Sequence, residues 1–284
     1  MQRTILITGA GSGMGRELAR RALARGDLTI AALYDRREAE ALGNHPNLRI
    51  VDCDVASSES VELAFAQVDK MLAGKTLNLV IHCAGISPSG AVEVEPIEML
   101  ERTLNVNAVG TARVIKAALP RLRGLDGKGG GRILLFASLW GKVGGPLLSA
   151  YCASKHAIEA IVDSARRETE GQGVEFVLVE PGVVRTNMVA QTVSGSRSGS
   201  DALPPAHQAL YGPIYARFAR MIARESTGGV SVEQAADAIE RAAFAASPAT
   251  RYSVGKDAKA VKAMARLLPD RALDFVFRKM LARS

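Results

Sequence analysis

Aromatic side chains are scarce in this chain. They make up 5% of its 284 residues and include a single tryptophan, Trp140. Proteins that stack nucleobases carry aromatic-studded basic stripes, and none occurs here, nor any nucleic-acid reading motif, so no nucleic acid is expected as a partner. Cysteine is rarer still. Cys53, Cys83 and Cys152 are odd in number and spaced for no metal site, which leaves reduced thiols and no expected metal. Cys152 adjoins Tyr151, but neighbours in a helix face apart, so it reads as packing. No apolar run approaches the ~20 residues that span a bilayer, so no transmembrane segment is expected. A strand-like run starts almost at the first residue, which leaves no room for a signal peptide, and a cytoplasmic location is expected. There is no Pro/Ser-rich linker and no internal repeat. One α/β domain over residues 1–284 is the simplest organisation, and 48% hydrophobic content is enough for its core.

What is present alternates regularly. Strands are predicted near residues 3–8, 28–33, 48–53, 77–83, 132–137, 174–180 and 251–254. Helices are predicted near 14–25, 57–72, 96–119, 148–170 and 231–245. Such alternation implies a doubly wound, Rossmann-type parallel sheet of about seven strands with helices on both faces. Right-handed crossovers then bring every strand C-terminus to one edge. Residues 127–131 read as a surface turn. Gln191–Pro205 clusters Ser, Gly and Pro and breaks the alternation, as either a mobile lid over a substrate or a plain surface loop.

Two constellations fall on that edge. Thr8-Gly9-Ala10-Gly11-Ser12-Gly13-Met14-Gly15 joins the apolar run Thr4–Ile7 to a helical pattern over Leu18, Ala19, Ala22 and Leu23. Strand, glycine turn and helix N-terminus together offer backbone N–H groups and a positive helix end to a pyrophosphate. No Gly-Lys-Ser/Thr follows, which excludes a P-loop. The second constellation is Tyr151 and Lys155, at the i, i+4 spacing that puts a phenol and an ammonium on one helix face. A cation there favours the phenolate, so the expectation is a lowered tyrosine pKa and proton transfer near neutrality. Ser138 lies thirteen residues upstream, just after the apolar run Ile133–Ala137.

These motifs resemble the short-chain dehydrogenase/reductase family, and among its members those acting on steroids and retinoids. The family's opening Thr-Gly-x-x-x-Gly-x-Gly is similar to Thr8, Gly9, Gly13 and Gly15. Its Asp-Val after the third strand resembles Asp54-Val55. Its Asn-Asn-Ala-Gly after the fourth strand corresponds to His82-Cys83-Ala84-Gly85, with both asparagines replaced. A histidine at that strand end reads as structural. Asn107-Ala108-Val109-Gly110 resembles the Asn-x-x-Gly motif, and Pro181-Gly182-Val183-Val184-Arg185-Thr186 the segment against the nicotinamide end. The resemblance implies a catalytic tetrad of Ser138, Tyr151, Lys155 and Asn107. Tyr151 would move the proton, Lys155 would tune it and bond the nicotinamide ribose, Ser138 would orient the substrate oxygen, and Asn107 would hold a water or simply stabilise a helix kink. It also implies cofactor contacts from Ser12, Met14, Cys83, Ala84, Gly85, Val183 and Thr186, with Asp54 on the adenine amino group and Val55 on its ring. Met14 stands in for a common isoleucine.

Tyr34-Asp35-Arg36-Arg37 carries both cofactor signals, a carboxylate for the ribose diol of NAD and arginines for the 2′-phosphate of NADP. Ser12 is not the basic residue found in many NADP-preferring members, and NAD(H) is the favoured expectation over NADP(H). The expected substrate is a lipophilic secondary alcohol or ketone. It would be held by an insert over 188–230 in which Met188, Val189, Leu203, Leu210, Tyr211 and Phe218 line an apolar pocket. A homodimer or homotetramer through the helices near 96–119 and 148–170 is what the resemblance implies. From Lys256 to Ser284, eight basic residues stand against three acidic ones, most of the chain's excess of +7. This basic amphipathic tail, 256–284, would either touch an anionic membrane surface or pack on the body with a solvated basic face.

Overall fold

Seven parallel strands lie in the order β3-β2-β1-β4-β5-β6-β7 in the computed structural model, which describes residues 2–74, 76–123 and 130–282. They are β1 Thr4–Thr8, β2 Leu28–Leu33, β3 Leu48–Asp52, β4 Leu79–His82, β5 Gly131–Phe136, β6 Val174–Pro181 and β7 Arg251–Val254. Every predicted strand is therefore present, within about two residues at each end. Most of the residues predicted as the turn at 127–131 lie outside the described residues, while Gly131 already belongs to β5. The order reverses between β1 and β4, which pair from Ile5↔Leu79 to Thr8↔His82. Crevices that take ligands open at such reversals, outside the strand C-termini.

Period-2 alternation sends Leu6 to one face of the sheet and Ile5 and Ile7 to the other. The first face is covered by helices α2 (Ser58–Leu72), α4 (Gly110–Arg123) and α5 (Ser149–Glu168), through Phe65, Val114 and Ile158. The second is covered by α1 (Gly13–Ala24) and α8 (Val232–Phe244), through Leu18, Ala19, Ala235 and Ile239. The helix predicted over 96–119 is broken. Its first part is α3, Ile97–Leu104. A π-helical turn over Asn105–Val109 separates it from α4, and Gly110 lets α4 start directly against Val55, since an added Cβ would lie 3.1 Å from the Val55 Cγ2.

The stretch around 191–205 corrects the sequence reading. It is helical, as α6 (Asn187–Asp201), and pairs with the long α7 (Pro205–Gly228). Thr192, Ser194 and Ser198 turn their hydroxyls back onto the helix, Thr192 Oγ1 donating to Met188 O at 3.0 Å, Ser194 Oγ to Gln191 O at 3.1 Å and Ser198 Oγ to Ser194 O at 3.1 Å. Its small residues let α7 approach, and Gly199 faces the ring of Tyr215. Composition that reads as a loop in sequence is here the contact surface between two helices. The basic tail forms α9 (Lys256–Leu267) and α10 (Asp270–Ala282), interrupted at Leu268-Pro269. Ala258 and Val261 pack under Leu139 and Val143, and Phe277, Met280 and Leu281 join the body. The tail thus packs on the protein, with Lys256, Lys259, Arg266, Arg271, Arg278 and Lys279 exposed and Lys262 turned inward to Glu180. No helix among the described residues is long and apolar enough to cross a membrane.

Candidate active site

The strand C-termini and the helix pair α6–α7 enclose a cavity of about 130 Å³. Ser138 reaches it from the end of β5, Tyr151 and Lys155 from the first turns of α5, and Pro181, Gly182, Val183 and Thr186 from the segment after β6. Met14 of the glycine turn and Cys83 and Gly85 of the β4 segment complete its edge. Three of the four predicted catalytic residues therefore share one space. Asn107 stands behind it, its Oδ1 lying 3.1 Å from where a Cβ on Gly85 would sit.

Each functional side chain is held by its own element. Lys155 is buried and its Nζ donates to Phe136 O at 2.8 Å, 5.5 Å from the centre of the Tyr151 ring. Burial drives its pKa down to about 8, because the ammonium loses its hydration. Tyr151 departs from expectation. Desolvation pushes its phenol up to about 12 and outweighs a hydrogen bond with Ser138 that acts in the other direction. The lysine at i+4 does not yield an acidic phenol here. A cation 5.5 Å away over the ring face does not offset the loss of water around the oxygen. Asn107 is engaged throughout: Oδ1 accepts from Ile86 N, and Nδ2 donates to Ile86 O and to Ser154 Oγ, each at 2.9 Å. The π-turn puts Asn107 in position to clamp the segment after β4 to helix α5.

His82 shares a hydrogen bond of 2.7 Å with Thr8 Oγ1 across the β1–β4 pair, and burial lowers its pKa to about 3. It is a neutral structural group tying the two central strands, where an asparagine is usual. Cys83 is a thiol pushed up to about 12 by burial, which removes it from nucleophilic chemistry.

The glycine turn meets the requirements of a dinucleotide. Gly9 and Gly13 have φ of +64° and +50°, and an added Cβ on Gly9 would lie 2.8 Å from Ala84 N. Gly15 is a glycine because a side chain there would run into Gly9 O. Helix α1 starts at Gly13 with no side-chain cap from Ser12 and no acidic residue in its first turn. Its first N–H groups are left for an anionic ligand. Just after β3, Asp54 accepts from Ala56 N at 2.9 Å, and Val55 is buried against α4. Asp35 is not a free carboxylate. Both its oxygens are engaged by Arg37, at 2.6 Å to Nη2, and Arg36 pairs with Asp52 at 2.9 Å.

The expected pocket residues divide. Met188 and Val189 line the cavity, Phe218 is core, and Leu203 and Tyr211 pack in the α6–α7 cluster. Leu210 is 69% exposed and does not line the cavity. Ile86, Ser87, Trp140, Leu148, Thr192 and Ile222 line it and were not foreseen. Trp140 was within reach of the sequence, two residues past Ser138. Ile222 was not, since only the docking of α7 turns it inward.

This geometry agrees with comparisons to known proteins. A family model described as short chain dehydrogenase matches residues 3–197. The chain belongs to the short-chain dehydrogenases. Over 99% of its length it is 30% identical to an NADPH-dependent 3-dehydrocapnine reductase of Ornithobacterium rhinotracheale, covering 98% of that protein. It is 33% identical to human 17-beta-hydroxysteroid dehydrogenase type 6 over 96% of this chain and 86% of that one, and 33% identical to mouse retinol dehydrogenase 16 over 90% and 81%. A short-chain dehydrogenase from Streptomyces avermitilis shares the fold with a TM-score of 0.76 and 24% identity, covering 98% of this chain and 94% of that one. The protein is accordingly a nicotinamide-dependent oxidoreductase acting on hydroxyl and carbonyl groups.

Proposed function

We propose that this short-chain dehydrogenase interconverts a lipophilic ketone and its secondary alcohol, with Tyr151 as the general acid and base. One observation carries the reading: a phenol, a hydroxyl and an ammonium meet in a cavity whose walls include Ile86, Trp140, Leu148, Val184, Val189 and Ile222, with Ser87, Thr186 and Thr192 among the remaining lining residues. Such walls select an apolar body, and the polar groups fix a single oxygen. The insert over 188–230 contributes Met188, Val189, Thr192 and Ile222 to the lining and is the substrate-binding part in this reading. The tail over 256–284 supports it from behind, where Phe277 stacks on Trp140 with ring centres 6.0 Å apart.

The dinucleotide would lie from Asp54 and Val55, across Gly9–Gly15, to Pro181–Thr186. Bound in its reduced form, it supplies the hydride. Ser138 donates a hydrogen bond to the substrate oxygen and aims the carbon. Tyr151, a neutral phenol at physiological pH, gives its proton to that oxygen as negative charge builds on it. Lys155 stabilises the phenolate that remains and, with a pKa near 8, returns a proton from solvent. Asn107 keeps the β4 segment and Ser154 in place beside that lysine.

The NAD(H) expectation rested on the absence of a basic residue at Ser12, with Asp35 as a possible ligand for the ribose diol. With Asp35 held by Arg37, and with an NADPH-dependent relative aligned end to end, NADP(H) is the better supported form, and a 2′-phosphate would draw Arg36 and Arg37 from their exposed partners Asp52 and Asp35. The test is Tyr151→Phe assayed on a panel of lipophilic ketones and alcohols. Dinucleotide binding should persist while kcat falls at least about a thousand-fold. Turnover unchanged by the substitution would remove the phenol from the chemistry.

A further inference from the structure

Asp257 lies in the first turn of α9, far along the chain from every motif described above and beyond the 3–197 region matched by the family model. The fold brings it against the backbone of Gly182 and Val183, two residues that line the cavity. β7 pairs with β6 in a register that sets Val254 beside Pro181, and Gly182 N donates to Val254 O at 2.8 Å. Gly255 then turns the chain at φ +101°, a conformation that L residues rarely adopt, and Asp257 comes to lie directly over Gly182. One carboxylate oxygen, Oδ2, accepts a hydrogen bond of 2.6 Å from Val183 N. Any side chain on Gly182 would run into the same carboxylate. Helix α9 is itself anchored, because Lys262 Nζ donates to Glu180 Oε2 at 2.6 Å, just before the segment that Asp257 holds.

The segment Pro181–Thr186 therefore has four fixings: Val254, the strand-like exchange of Val183 and Arg185 with Val230, Ser138 Oγ, which donates to Pro181 O at 3.5 Å, and Asp257. Of the two side chains, Asp257 is the carboxylate and makes the shorter bond. Charge-assisted bonds to backbone N–H groups are short and roughly twice as strong as neutral ones. Val183 also lines the cavity, so a displacement of its backbone moves the wall against which the nicotinamide end would rest.

We propose that Asp257 is a positioning residue for the nicotinamide half of the cofactor, acting through the backbone of Gly182 and Val183. This rests on the functional reading above, which places the nicotinamide against Pro181–Thr186. The test compares Asp257→Ala and Asp257→Asn with the unsubstituted protein, using NADPH and its nicotinamide-free analogue 2′-phospho-ADP-ribose as ligands. Asp257→Ala should weaken NADPH at least about ten-fold and lower kcat, while leaving the analogue within about two-fold, because the adenosine half sits on the distant glycine turn. Asp257→Asn keeps an oxygen that can accept from Val183 N, and should restore both quantities to within about three-fold. The proposal is overturned if Asp257→Ala leaves NADPH affinity and kcat unchanged. It is equally overturned if both ligands weaken together, which would mean a role in folding at large. Tyr151→Phe reports separately on the chemistry: full turnover in that variant would sink the functional reading, while the difference between the two ligands would still judge Asp257.

Discussion

Replacing Lys155 with methionine should stabilise the protein at neutral pH, and the gain should fade as the pH rises. Lys155 is buried, its charge is met by the carbonyl of Phe136 at 2.8 Å, and its pKa falls from 10.5 to about 8. In the unfolded chain the amine binds its proton more tightly than in the fold. The stability it contributes is therefore full above 10.5 and is lost as pH falls through about 8. A depression of this size means that the wild-type protein, set against the methionine variant, should gain about 2.5 kcal/mol between about pH 7 and about pH 10. Groups near Lys155 do not blur the window. His82 titrates at about 3, and Cys83 and Tyr151 at about 12, all outside it, while their unfolded values are common to both proteins. Urea unfolding of both proteins followed by circular dichroism, at about pH 7 and about pH 10, yields the difference directly. A gap between variant and wild type that stays constant to within about 0.5 kcal/mol would show that Lys155 keeps an ordinary pKa, and the picture of a desolvated cation primed near neutrality would be wrong.

Two further substitutions probe the cofactor end and the substrate wall. Arg37→Ala frees the Asp35 carboxylate, so the ratio of kcat/KM with NADPH to that with NADH should fall by about ten-fold or more, and an unchanged ratio would remove the Asp35–Arg37 pair from cofactor choice. Gly145→Ala puts a methyl into the ring of Trp140, which lines the cavity. It should cost about 1–3 kcal/mol of stability and depress kcat/KM for bulky ketones more than for small ones, measured by thermal melts and a size-graded substrate series, whereas equal effects across the series would place Trp140 outside the substrate wall.

The local motifs were legible because each is a short-range device. The glycine turn needs backbone freedom at Gly9 and Gly13, and such freedom is visible as residue type. The strands over Ile5–Ile7 and Ile133–Phe136 announce themselves as apolar runs because both their faces are buried. The i, i+4 spacing of Tyr151 and Lys155 fixes their common helix face wherever that helix goes. Other features gave no readable signal. The Ser/Gly composition of 191–201 serves a loop and a tight helix pair equally well, and only the packing of α7 chooses between them. Leu210 and Ile222 are both apolar residues of α7, yet one faces solvent and the other the cavity.

By itself the sequence determined the parallel sheet, the phosphate-binding turn and the pairing of phenol with ammonium, since these depend on periodicity and spacing along a few residues. The tertiary structure decided the rest. It set the direction of the tyrosine pKa, because desolvation depends on everything packed around the oxygen and not on one neighbour. It engaged Asp35 with Arg37, and it bonded Asp257 to Val183 N, seventy-four residues away along the chain. Contacts across such separations are fixed by how strands and helices stack, and no local pattern encodes them.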